Sequence, residues 1–254
     1  MNFTFLLIVV QYIIITYAFG LVYMLAGRKN SEYIQRRFGW TGYCILGSVG
    51  VPFHELAHLI TAVIFGHKIN EVSLFRPSKG KVDGTLGYVK HTWRDGNPYQ
   101  KIGNFFIGTA PMFFGAGLLF VVLRVTYPTV FTDVAHINEI PGSLLFAFEN
   151  MFRAENLLTM RSLIVLLITI FICPHMHMSW ADVKGATSGA ITLIIAAFVF
   201  SLASALIPSA IAELIENTLN TFAAYYIYAL ALGLAVSVIM TICFGLLSLG
   251  KVRR

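Results

Sequence analysis

The chain has 254 residues, 57% of them hydrophobic and only 12% charged, with a mean hydropathy of +0.75. Water-soluble domains carry about a quarter charged residues, and a soluble fold of this composition would expose more apolar surface than a monomer tolerates, so the composition is that of a membrane protein. The net charge of +6 does not mark a nucleic-acid binder, because the basic residues sit in short stretches between apolar runs, where they act as topology signals.

Crossing a bilayer core as a helix takes about 20 mostly apolar residues. Six runs qualify in chain order: Phe3 to Ala26, Thr41 to Gly66, Ile102 to Val125, Ser162 to Trp180, Gly189 to Ala210 and Thr221 to Leu249. Helices are expected for all six, since backbone groups in hydrocarbon must bond within their own segment. The first run lacks a basic leader and is too long for a signal core, so it reads as a retained span. Between the second and third runs, Lys68 to Lys101 is the most polar stretch. There Val72 to Arg76 and Leu86 to Trp93 flank Gly80 and Asp83-Gly84, which predicts a β-hairpin with a long turn. From Asn138 to Met160, Leu144, Leu145, Phe148, Phe152 and Leu157 recur near helical spacing among Glu149, Arg153 and Glu155, which predicts an interfacial amphipathic helix. Cys44, Cys173 and Cys243 are isolated and odd in number, so they build no disulfide framework. No repeat or linker interrupts the chain. The expected fold is an all-α polytopic membrane protein, one embedded domain over residues 1–254, multi-pass in the cell membrane.

With a cytoplasmic N-terminus, 11 of the 18 Lys and Arg fall inside (Lys68, Arg76, Lys79, Lys81, Lys90, Arg94, Lys101, Lys184, Lys251, Arg253 and Arg254). That is the orientation the positive-inside rule favours, although Arg28, Lys29, Arg36 and Arg37 then lie outside.

The second run contains Val51-Pro-Phe-His-Glu-Leu-Ala-His-Leu-Ile60, in which His54, Glu55 and His58 are the only acidic or imidazole groups between Thr41 and Gly66. On a helix, positions i and i+4 are about 40° apart around the axis and about 6 Å apart along it, so both imidazoles reach one metal ion. Glu55, one residue on, sits beside that ion without ligating it, placed to take a proton from a zinc-bound water and pass it to a leaving amine. Composition alone predicts roughly 0.006 copies of such a motif, and an acid at mid-span is expensive enough to need a reason. Pro52 removes a ladder hydrogen bond two residues earlier, which bends the helix or admits water. In the third run, the small residues of Gly108 to Gly117 allow close helix approach, or wall a cleft.

A catalytic zinc site uses a third protein ligand. The end of the fourth run, Cys173-Pro-His-Met-His-Met-Ser-Trp-Ala-Asp182, offers His175, His177 and Asp182 at a depth that matches His54 and His58. Glu213 and Glu216 are expected on the opposite membrane face as solvated groups.

Taken together, the HExxH on a spanning helix, the polar hairpin after it and a later aspartate resemble the site-2 protease family of intramembrane zinc metalloproteases, across about residues 41–186. In that family the aspartate directly precedes a glycine; here Asp182 is followed by Val183, Lys184 and Gly185. The resemblance implies zinc held by His54, His58 and Asp182, with Glu55 as general base. It also implies cleavage, near the cytoplasmic face, of a membrane-spanning or membrane-tethered protein. The hairpin would offer an edge strand to the unwound substrate. The competing expectation is a non-catalytic membrane protein: a metal- or proton-coupled transporter, or a degenerate homologue serving as a scaffold.

Overall fold

The computed structural model describes residues 3–127, 140–151, 153, 159–204 and 207–249. Its elements are α1 (Thr4–Ile64), β1 (Lys68–Ser73), α2 (Pro77–Asp83), β2 (Tyr88–Thr92), α3 (Pro98–Thr126), α4 (Ile140–Met151), α5 (Met160–Ile172), α6 (Trp180–Ala203) and α7 (Ser209–Leu249). By length and composition α1, α3, α6 and α7 can each cross a membrane, in keeping with the all-α membrane class.

An uninterrupted 61-residue helix would extend about 90 Å, three times the hydrocarbon core. Instead α1 reverses at Gly39, whose φ of 69° and ψ of −170° belong to a region essentially reserved for glycine. The two arms, residues 4–38 and 40–64, return side by side. Phe5 and Ile8 of the first arm line one apolar cavity with Thr61 and Ile64 of the second. Likewise Gly27 and Gly50 both abut the segment at His175 and His177. These arms match the first two expected spans, except that helix continues through the exposed bases Arg28, Lys29, Arg36 and Arg37, expected in a loop.

The fourth and fifth expected spans form one discontinuous column. Reading α3 backwards, Tyr127 donates to Ser162 Oγ at 2.8 Å, Gly115 abuts Met176 and Gly108 abuts Asp182 and Ala186. Farther along, Asn104 reaches Ser188 at 3.4 Å and Gly189 abuts Lys101 and Phe105. One continuous helix is thus tracked by residues 162–189, which are interrupted at Pro174. There α5 ends in a 3₁₀ turn, Cys173–His175, and α6 restarts at a capping box in which Ser179 and Asp182 exchange hydrogen bonds. Counting apolar runs cannot see that two runs stack end to end. α7 runs parallel to the first arm: Thr16 meets Tyr226, Tyr23 donates to Leu230 O at 2.9 Å and Asn30 reaches Ser237 O.

The hairpin packs back along the second arm. β1 and β2 pair antiparallel from Lys68↔Thr92 to Ser73↔Tyr88. The first strand lies earlier than the expected Val72 to Arg76, because Pro77 at the first helical position begins α2 inside the connection. Gly87 touches Val51 and Glu55, Leu86 approaches Gly47, and Trp40 Nε1 donates to Pro77 O at 3.1 Å. Arg76, Lys79 and Lys81 therefore stand with α2 at the Trp40 end of the arm, while Lys68 and Lys101 stand at the Ile64 end. Charge no longer selects an orientation. Lys251, Arg253 and Arg254 lie outside the described residues, as do Phe152, Glu155, Leu157 and the side chains of Leu144 and Phe148 from the expected amphipathic helix, whose described part is α4.

At Gly39 a Cβ would meet nothing within 4 Å, so any penalty for Gly39→Ala is backbone strain alone. Unfolding in detergent should show that variant about 1–3 kcal/mol less stable; equal stability would mean that the reversal does not depend on glycine.

Candidate metal centre

His54 and His58 lie on consecutive turns of the second arm, and Asp182 is the third helical residue of α6. Their ligand atoms lie within 4.8 Å of one another, the only such group of three among the described residues. His58 Nε2 is 3.0 Å from His54 Nε2 and 3.4 Å from Asp182 Oδ1.

Both ring orientations are set by backbone carbonyls. His54 Nδ1–H donates to His175 O and His58 Nδ1–H donates to Ile107 O, each at 2.7 Å. A carbonyl only accepts, so both Nδ1 atoms carry the hydrogen and, in neutral rings, both Nε2 atoms present lone pairs. Two lone pairs 3.0 Å apart beside a carboxylate repel unless a proton or cation lies between them. Metal–nitrogen bonds of about 2.0–2.1 Å in a tetrahedral site place ligand atoms about 3.3 Å apart, close to the 3.0 and 3.4 Å from His58 Nε2 to its two neighbours, with all three ligand atoms within 4.8 Å. The residues fit a small divalent cation.

The two carbonyls are available because the helices that carry them are broken nearby. Ile107 O would ordinarily accept from the N–H of residue 111, but that residue is Pro111, which has none. His175 O would ordinarily accept from the N–H of residue 179, but Ser179 N donates to Asp182 Oδ2 at 2.7 Å. The same bond leaves Asp182 Oδ1 facing the histidines. Outer partners of this kind fix tautomer and geometry in metal sites.

Glu55 is 8% exposed, and no hydrogen bond to its carboxylate is formed among the described residues. It shares with His54, His58 and Asp182 a cavity of about 630 Å³, whose other wall is Thr85, Gly87 to His91 and Trp93 of the hairpin. Non-helical backbone at membrane depth is tolerated where it lines a watery cavity.

All four residues expected at the site therefore come together. The alternative ligands do not join them. His175 and His177 turn their Nδ1 atoms to Phe171 O and Pro174 O, one turn back in the chain, and His175 contributes its main-chain oxygen instead. Glu213 is exposed on α7. The sequence reading of Gly108 to Gly117, as close helix approach or a cleft wall, did not include the carbonyl that Pro111 frees; the signal was available, since an in-helix proline always releases the carbonyl four residues earlier. Sequence reasoning also gave no role to His67 and His91, which stand beside the cavity. No family model, curated protein or solved structure matches the chain.

His58→Ala or Asp182→Ala should abolish stoichiometric metal binding in chelator competition. Pro111→Ala should keep the metal but bind it about tenfold more weakly, because a restored N–H competes for Ile107 O. Unchanged affinity in Pro111→Ala would dissociate the proline from the site.

Proposed function

We propose that the protein is an intramembrane zinc-dependent endopeptidase, resembling the site-2 proteases, that cuts a membrane-spanning or membrane-tethered protein. One observation carries this reading: two imidazole lone pairs and a carboxylate oxygen converge inside a membrane helix packing, beside a buried glutamate whose carboxylate accepts no hydrogen bond among the described residues. His54 Nε2, His58 Nε2 and Asp182 Oδ1 would hold the ion. Three protein ligands with an open fourth position are the pattern of catalytic zinc, whereas structural sites are closed. Bound there, zinc supplies Lewis acidity that activates water and polarises a carbonyl.

Glu55 does the proton work. Its carboxylate takes the proton from the attacking water as the C–O bond forms, then delivers it to the amide nitrogen as the C–N bond breaks. Placement on the residue next to His54 keeps it within reach of that water while its own oxygens stay free. The substrate lies extended in the cavity beside β2, whose second edge is unpaired among the described residues, so a peptide strand added there would pass the cluster.

In a membrane, the helices make five crossings, namely the two arms of α1, α3, the α5–α6 column and α7, one fewer than the six runs suggest. His54 and His58 lie nearer the Ile64 end of their arm. The cut accordingly falls nearer the face at which α1 begins, in a multi-pass protein of the cell membrane. The transporter alternative calls for paired broken helices in two related halves; among the described residues one column is broken.

Glu55→Gln should retain zinc and slow proteolysis at least 10²-fold. Comparison of membrane proteomes with wild type and this variant should reveal a spanning protein that accumulates uncut. Loss of zinc, or cleavage at the wild-type rate, would sink the assignment. Proline substitutions between Leu86 and Trp93 should lower cleavage at constant zinc content if β2 receives the substrate.

A further inference from the structure

Two histidines that no step above uses stand where the hairpin meets the helix ends. His67, just beyond the second arm, is 5% exposed. Its Nε2–H donates to Gln100 O at 2.8 Å, so in the neutral ring Nδ1 is bare. That Nδ1 lies 2.9 Å from His91 Nδ1. His91 Nδ1 must therefore carry the hydrogen and donate it, which leaves His91 Nε2 as an acceptor.

The relay is held rigidly. Gln100 Nε2 donates to Gly66 O at 2.7 Å, and Gln100 Oε1 accepts from Arg94 N at 2.8 Å, which clasps the start of α3 to both ends of the hairpin. Trp93 stacks on His67 with ring centroids 5.8 Å apart. His91 itself lines the cavity that contains His54, Glu55, His58 and Asp182. Burial, and then the neighbouring His67, push the His91 pKa down to about 4, so the ring is neutral near pH 7.

A neutral, tautomer-locked imidazole on the wall of the cavity offers one fixed lone pair. The cavity already provides a carboxylate and a cation site for the reacting carbonyl, but a peptide also brings main-chain N–H groups that lose their water on entry and cost free energy if left unpaired. We propose that His91 is a substrate-binding residue that accepts a hydrogen bond at Nε2 from a main-chain N–H of an extended peptide. In this arrangement His67 is a positioning residue that acts through it. The inference rests on the hydrolase reading, since it needs a peptide in the cavity.

The test uses the full-length, zinc-loaded protein in detergent and two probes: acetohydroxamate, which meets only the metal, and N-acetyl-leucyl-leucine hydroxamate, which adds peptide N–H groups. In His91→Phe the dipeptide hydroxamate should bind about tenfold more weakly, while acetohydroxamate affinity and one zinc per chain stay unchanged. His67→Phe should reproduce the loss, and His91→Gln, which keeps an acceptor near the Nε2 position, should recover most of it. Nitrogen-15 histidine spectra should show His91 protonated at Nδ1 in wild type and a mixture of tautomers in His67→Phe. Equal dipeptide affinity in His91→Phe would overturn the proposal. So would a second zinc ion lost in His67→Phe, which would make the pair a metal site. Failure of both hydroxamates to bind wild type is a different result, and it would remove the metal-centre reading together with this one.

Discussion

Everything at the centre depends on backbone carbonyls that their own helices leave unsatisfied. A helix in hydrocarbon normally consumes every carbonyl within its ladder, so a membrane protein has few free acceptors with which to orient an imidazole. Here each histidine obtains one from a defect in a neighbouring helix: Pro111 in α3 releases Ile107 O, and the interruption between α5 and α6 releases His175 O. The defects and the site are the same structure seen from two sides. Each opens a ladder, and each open rung is filled by the N–H of a ring whose other nitrogen then points inward.

The interruption at Pro174 also disposes of a second difficulty, the placing of a carboxylate at membrane depth. As the third residue of α6, Asp182 accepts from Ser179 N through one oxygen, beside the positive end of the new helix. An aspartate in the middle of a continuous span would find no free N–H, whereas one at the start of a half-helix finds several. Closing the gap demands space, and the flanking helices provide it with glycine. Gly27, Gly50 and Gly115 stand where any Cβ would collide with His177, His175 and Met176. Gly115 belongs to the stretch Gly108 to Gly117 read from sequence as allowing close helix approach; in the fold it joins Gly27 and Gly50 in forming the bed of the broken segment.

Much of the local chemistry was legible in the sequence. The i, i+4 histidines with their glutamate are written in the one-turn period of a helix, and Asp182, expected from the sequence beside them, lies next to both histidines in the fold. What could not be read is what depends on distant parts of the chain. The bond from His54 crosses 121 positions and that from His58 crosses 49, and no periodicity encodes such pairings. Hydropathy marked α5 and α6 as two spans because it registers how apolar a run is and is blind to whether two runs stack or cross. Loop charge is ambiguous for a related reason: bases of one loop need not share a face, and the hairpin carries Arg76, Lys79 and Lys81 back along the arm to the other end.

That return of the hairpin explains why the cavity has an asymmetric wall. On one side are helix-borne polar side chains: two imidazoles, Asp182 and the Glu55 carboxylate. On the other is backbone, Gly87 to His91, with one edge unpaired. Helices cannot present main-chain donors and acceptors laterally, because their ladders use them, and a strand can do so without losing a bond. At Gly87 the strand comes up against the helix wall, since a Cβ there would lie 2.7 Å from Glu55 Cγ and 3.0 Å from Val51 Cγ1. The absence of a side chain at that one position lets an extended backbone come up against the acid, and so sets the distance between the group that would move a proton and the surface along which a peptide would lie.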